Sequence, residues 1–263
     1  MKLYKIVATT LIIGLFSSTS VAQAQKNPDI SLFKSGWHYG NHDTLPYLIY
    51  TSKLAKTDSS KPALVVFLHG AGERGKDNRK QLKWCVQYFI NDTVSLKHSF
   101  ILLIPQCPEN QRWVNTDWTL PSHKMEQKPT AQMHAVKWII DSFKTSQHID
   151  SNRIYICGIS MGGFGVWDAL QRYPNYFAAA IAICGGGDPS YAKNIKDTPL
   201  YIFHGSKDKL VKPQRSKQMY VALKHIKSKD LHYVVYLKHG HLCWDAAFAT
   251  PGIFDWLFSK KNN

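Results

Sequence analysis

The sequence predicts an α/β protein: one domain built on a mostly parallel, doubly wound sheet. Three observations carry this. Short apolar runs without polar alternation recur at residues 44–50, 63–69, 100–105, 153–159, 178–184, 200–204 and 231–237. Such runs suit strands buried on both faces. Helical patterns lie between them, the order expected when helices wind onto both sides of a parallel sheet. The chain has 263 residues, 44% hydrophobic and 19% charged, which is enough for one sizeable core.

In chain order, the first feature is a leader pattern. Lys2 and Lys5 precede an apolar run from Ile6 to Phe16, then Ser17 to Ser20 and Ala22-Gln23-Ala24. This is the three-part pattern of a secretory signal peptide. Cleavage is expected after Ala24, giving a leader over 1–24, a catalytic domain over 25–263 and a secreted or periplasmic protein. The apolar run is too short to span a bilayer, so stable membrane insertion is not expected. After a polar segment, Thr44 to Tyr50 predicts a strand, and Ala63 to His69 (ALVVFLH) a second that ends at Gly70. Phe100 to Pro105 follows. Residues 130–144 predict a helix with Met133, Val136, Ile140 and Phe143 on one face and Ile139 beside them. Arg153 to Ile159 predicts a strand and Phe164 to Gln171 a helix. Residues 213–226 predict another helix, its apolar set (Met219, Val221, Leu223, Ile226) less cleanly spaced.

The formal charge is +15, with Lys and Arg scattered from Lys26 to Lys261. No dense basic run or recognition motif is present, so a nucleic-acid partner is not expected. A basic surface does suit acidic partners such as anionic polysaccharide. The five cysteines are Cys85, Cys107, Cys157, Cys184 and Cys243. An odd count leaves at least one free or paired between chains. Cys157 and Cys184 sit in apolar runs and read as small core residues. No Cys/His spacing supports a metal site, and neither a metal nor a cofactor is expected.

In open α/β sheets, ligands bind beyond the carboxyl ends of the strands, so the residues after each strand are the ones to inspect. After the 153–159 run comes Gly158-Ile159-Ser160-Met161-Gly162-Gly163. This G-x-S-x-G places a serine on a sharp strand-to-helix turn, where flanking glycines let the backbones approach and the helix N-terminus favours a developing anion. Ser160 is therefore the candidate nucleophile, and the expected fold is an α/β-hydrolase fold. A serine nucleophile needs a base, an orienting acid and an oxyanion hole. The glycine-rich turn His69 to Gly75 is placed to aim backbone N–H groups at a carbonyl oxygen. Ala71 and Met161 are assigned as the two donors. Asp208, after the 200–204 strand, is the favoured acid, with Asp188 the competitor from the preceding strand. His241 is the favoured base, in the order Ser, Asp, His, and His239 is read as a surface residue.

HGAGERG (69–75), GISMGG (158–163), FHGSKD (203–208) and GHLCW (240–244) together resemble the bacterial secreted esterases of the α/β-hydrolase superfamily. These are often labelled predicted peptidases or phospholipase/carboxylesterase-like proteins, similar to feruloyl and acetylxylan esterases of carbohydrate esterase family 1. Pro105-Gln106-Cys107-Pro108 followed by Trp113 also looks like the family's loop. The resemblance covers residues 62–258 and implies a Ser–His–Asp triad with no metal and no cofactor. Carried residue by residue, it gives Ser160, His241 and Asp208.

The expected function is serine ester hydrolysis on carbohydrate-linked feruloyl, acetyl or other short acyl groups, with a small-molecule or polysaccharide ester as substrate. The alternatives are a prolyl-oligopeptidase-like peptidase and a non-catalytic protein with a hydrolase fold. Trp113 and Trp118, in a polar loop without core periodicity, are candidates for a sugar-binding rim. Trp244, beside His241, is a candidate for the same site or for packing against the final helix.

Overall fold

The computed structural model describes residues 11–12, 27–40, 44–146 and 148–262. The expected leader lies outside these residues apart from Leu11 and Ile12, and the cleavage point after Ala24 lies outside them altogether. The strands are β1 (Leu11–Ile12), β2 (Lys34–Tyr39), β3 (Thr44–Thr51), β4 (Ala63–Leu68), β5 (Phe100–Pro105), β6 (Ile154–Ile159), β7 (Ala179–Ile183), β8 (Leu200–Gly205) and β9 (Leu231–Tyr236). They form one sheet in the order β1-β9-β8-β7-β6-β4-β5-β3-β2. Pairing is antiparallel for β2 with β3 and β3 with β5, and parallel elsewhere. Each expected strand falls on one of these elements.

Every residue of β4, β6 and β7 is buried, which is why those runs show no polar alternation. Period two still divides them between two cores. Leu64, Val66 and Leu68 pack with Met133, Val136, Ile139 and Ile140 of α3 (Ala131–Thr145). The same core takes Phe164 and Trp167 of α4 (Met161–Arg172) and Met219 and Leu223 of α5 (Gln214–His225). On the opposite face, Val65 and Phe67 meet Val86 and Phe89 of α1 (Val86–Ile90). Phe248 of α6 (Trp244–Phe248) and Ile253 and Leu257 of α7 (Ile253–Phe258) complete that layer. A short α2 (Asp92–Ser95) follows α1.

Two sequence expectations are corrected here. Val221 is 53% exposed, because the α5 stripe that meets the sheet runs through Met219, Tyr220 and Leu223, and residue 221 points away from it. The segment before Thr44 reads as polar in sequence, yet it contains β2. It is an edge strand with mostly exposed residues, so burial left no apolar signature on it.

From β4 the chain passes to β5 on one side of it and then to β6 on the other. The order therefore reverses at β4, and the crevice at the carboxyl ends of β4 and β6 is the place where such sheets bind ligands.

Candidate active site

The site is built from the β6–α4 turn. Ser160 holds φ 53° and ψ −119°, a backbone region that non-glycine residues seldom adopt. Its N–H donates to the Ile183 carbonyl at 2.9 Å, and its carbonyl accepts the Phe164 N–H at 3.1 Å. The glycines around it answer to backbone crowding. A Cβ on Gly158 would run into the Gly162 carbonyl, and one on Gly162 would run into the Leu68 carbonyl of β4. Helix α4 is thus drawn onto two strand ends with Ser160 at its N-terminal, electropositive tip.

The Ser160 hydroxyl lies 2.8 Å from His241 Nε2, and His241 Nδ1 lies 2.7 Å from Asp208 Oδ2. Asp208 is fixed in turn. The N–H groups of Leu210 and Val211 both donate to Oδ1 at 2.9 Å, and His204 Nε2 stands 3.2 Å from Oδ2. His204 also reaches the Val211 carbonyl at 2.9 Å and Ser216 Oγ at 2.7 Å. Burial alone would raise the Asp208 carboxyl. The hydrogen bonds from His204, His241 and the Val211 amide outweigh it and hold the group well below the usual carboxylate range. For His241, burial would lower the imidazole. The Asp208 carboxylate on Nδ1, with the Cys184 side chain adding in the same direction, raises it to about 9.

The glycine-rich turn after β4 stands beside the serine: a Cβ on Gly70 would sit 3.6 Å from Ser160 Cβ. Ala71 opens a 3-10 turn over Ala71–Glu73, and Met161 opens α4. Both amides are first-turn donors, which helices leave without internal acceptors. His69 braces this turn from below. The Cys107 N–H donates to its Nε2 at 2.9 Å, its Nδ1 lies 2.6 Å from the Gly70 carbonyl, and the Trp113 indole N–H donates to its carbonyl at 3.0 Å. Burial pushes the His69 imidazole down to about 4, so it stays neutral, with Nδ1 the donor and Nε2 the acceptor.

The structure brings Ser160, His241, Asp208, Ala71 and Met161 to one crevice. Asp188 does not reach His241. Its carboxylate caps Ser190, bonding that residue's N–H at 3.0 Å and hydroxyl at 2.7 Å, and accepts the Met125 N–H at 3.0 Å. Trp113 is a correction: it is fully buried against the HGAGERG turn, not on a rim, because its indole packs edge-on to His69 and supplies that turn's hydrogen bond. Trp118 is half-buried, with the Arg112 guanidinium 4.5 Å above its ring. Trp244 is 4% exposed and stands edge-on to His241 at 5.5 Å between ring centres, so it is packing behind the imidazole. The supporting roles of His204 and His69 carry no signal of their own in the sequence, although His69 opens the HGAGERG turn and His204 lies near the end of β8.

Donor atoms of Cys184, His204 and Asp208 lie within 4.8 Å of one another. Those of His204 and Asp208 are already engaged in the hydrogen bonds above, and Cys184 Sγ contacts Cys243 Sγ at 3.3 Å. All five cysteines are free thiols.

Residues 51–250 match the phospholipase/carboxylesterase family. A crystal structure of a thermostable esterase superposes with a TM-score of 0.80 at 33% identity, covering 88% of this chain and 64% of that one. A bifunctional acetylxylan esterase/xylanase of Neocallimastix patriciarum is 24% identical over 58% of this chain and 20% of its own length. A probable carboxylesterase SOBER1-like of Arabidopsis thaliana is 26% identical over 61% of this chain and 66% of its own. The chain thus spans from a fifth to just under two thirds of these relatives. Its fold, the matched span and the strand-end crevice agree: the chain belongs to the phospholipase/carboxylesterase family of α/β-hydrolases.

Proposed function

We propose that the chain is a serine carboxylesterase acting on short acyl esters of carbohydrates outside the cytoplasm. The observation that carries the reading is the unbroken hydrogen-bonded chain from Ser160 through His241 to Asp208 beside two helix-start amides. Ser160 Oγ attacks the acyl carbon as His241 Nε2 takes its proton. The N–H groups of Ala71 and Met161 hold the developing oxyanion. His241 then gives the proton to the departing alkoxide, leaving an acyl-serine. Water, deprotonated by His241, attacks that ester, and the acid leaves as the serine regains its proton. Asp208 stays ionised, orients the ring and stabilises the imidazolium. The acetylxylan esterase relative and the leader-like first 24 residues support the carbohydrate substrate and the export.

The test combines a fluorophosphonate probe with a kinetic series. The probe is expected to label Ser160 and nothing in Ser160→Ala. Acetylated xylan, methyl ferulate and p-nitrophenyl esters of increasing chain length are then compared. Short acyl and sugar esters are expected to lead. A kcat/KM that climbs to the longest acyl chain, with sugar esters inert, replaces the reading with a lipase-like one.

A further inference from the structure

One charged group next to the crevice is not used by the chemistry above. Arg215, in the first turn of α5, is 1% exposed, yet its Nε and Nη1 are buried without any hydrogen-bond partner among the described residues. Its Nη2 has one long contact, 3.5 Å to Thr116 Oγ1. The guanidinium lies 4.8 Å from the Phe164 ring centre, and Phe164 is one helical turn beyond Ser160, bonded to its carbonyl. A ring face offsets only part of the cost of burying a cation. The acidic group whose charge acts on Arg215 is Asp117, but that carboxylate is exposed and turned to Thr119, whose N–H and hydroxyl donate to it at 2.9 and 2.7 Å. Asp188, nearby, is engaged by Ser190 and Met125. The main chain makes room for the arginine: a Cβ on Gly186 would sit 2.8 Å from Arg215 Cβ and 3.3 Å from its Nε. His123 stands 6.0 Å from the same ring, close enough for the Arg215 charge to act on it, with its own Nδ1 buried and without a partner among the described residues.

A buried guanidinium normally has a carboxylate in its fork, since the two match in geometry and charge. Here the described residues supply none. From this geometry we infer that Arg215, with Thr116 and His123, is a subsite for a carboxylate carried by the ester substrate, as on an acylated uronic-acid sugar. The inference deepens the esterase reading and rests on it. It also gives the net charge of +15 a role, since a basic surface draws an acidic polysaccharide toward the crevice. Burial brings the guanidinium down to about 10, so it remains cationic at neutral pH. Thr116 lies in the loop between β5 and α3, with exposed Asn115 and Asp117 on either side, so the subsite requires that loop to yield its long contact before a carboxylate enters the fork.

The experiment uses the acetyl ester of methyl glucuronoside and the same ester of methyl glucoside. The wild-type chain is expected to hydrolyse the uronate with the lower KM. In Arg215→Gln, KM for the uronate is expected to rise by about 30-fold or more, the loss typical when one member of a desolvated charge pair is removed. Its kcat, and both constants for the neutral ester, are expected to stay near wild type. Equal KM values in the wild type, or equal losses on both esters in the variant, overturn the subsite while leaving the esterase reading intact. If Arg215→Gln fails to fold, methyl glucuronoside is tested as a competitive inhibitor of the wild type on the neutral ester, against methyl glucoside. Equal inhibition overturns the subsite. If no ester is hydrolysed at all, the esterase reading fails. The subsite is then read from Tm, with glucuronoside expected to raise it and glucoside not; equal shifts overturn it.

Discussion

The β6–α4 turn and the loop from Gln106 to Thr130 flank the same crevice, and they hold their side chains by opposite means. In the turn, position is a backbone matter. Ser160 occupies a strained φ/ψ, and Gly158 and Gly162 are required because carbonyls of Gly162 and Leu68 fill the space of a side chain. In the loop there is no regular structure, and position is a side-chain matter. Trp113 is held by one indole hydrogen bond to His69, Thr130 by one to the Trp113 carbonyl, and Trp118 by Arg112 across its ring. Backbone constraint writes fixed residue types at fixed spacing. Side-chain constraint depends on which distant residue happens to meet the loop, and leaves no local pattern.

The largest effect expected is on the turn. Ser160→Ala removes the hydroxyl but none of the backbone bonds, so turnover is expected to fall by about 10⁴- to 10⁶-fold with Tm unchanged. Near-wild-type kcat in a folded variant breaks the assignment of this region as the chemical one.

Next comes the acid. Asp208→Asn is expected to lower kcat by about 10³- to 10⁴-fold, because His241 loses its tautomer and its counter-charge. Asp188→Asn should leave kcat nearly unchanged and lower Tm instead, since Asp188 caps the 3-10 segment Pro189–Ile195 and takes the Met125 amide. The reverse ranking in steady-state kinetics moves the acid to β7.

What the sequence disclosed follows the same division. The buried strands were legible because burial on both faces leaves an unbroken apolar run, and the meeting of Ser160, Asp208 and His241 was legible because each follows such a run within a few residues. Edge strand β2 was not legible, since its exposed residues carry no core periodicity. Nor was His204: its place between Asp208 and Ser216 depends on α5 folding back over β8, a contact between residues 12 apart that neither residue type announces. Trp113 was misread for the same reason. Its neighbours are polar and its partner His69 lies 44 residues away.

A smaller effect is expected from pH. On the proposed mechanism His241 must be neutral to accept the serine proton, so kcat/KM is expected to rise with pH through its titration in the free enzyme. Because Asp208 raises His241 above the ordinary 6.5, the rising limb should be centred above that value, with about a tenfold loss per unit on its acid side. In Asp208→Asn the larger of the two raising partners is gone while Cys184 and burial remain, so the residual activity should show a limb shifted to lower pH. A limb that stays in place in that variant separates His241 from Asp208.

The smallest effects should fall on the loop, and they sharpen the contrast within it. Trp113→Phe keeps an aromatic ring in the core but leaves the buried His69 carbonyl without its indole donor, at a cost of about 1–3 kcal/mol. Tm is expected to drop. KM for a sugar ester should hold, since no part of Trp113 meets solvent. Because His69 supports the turn that carries Ala71, kcat should fall modestly, as it would for a slightly displaced oxyanion donor. Trp118→Ala should do the opposite. The ring is half-buried, with one part against the core and the Arg112 guanidinium over its face, so the stability at stake is modest. If the ring stacks on a sugar, KM should rise several-fold with kcat unchanged and only a small loss of Tm. Thermal denaturation and steady-state kinetics on the two variants decide it. A KM change in Trp113→Phe with Tm intact would return Trp113 to the rim, and a Tm loss in Trp118→Ala with KM intact would make the whole loop a structural cover.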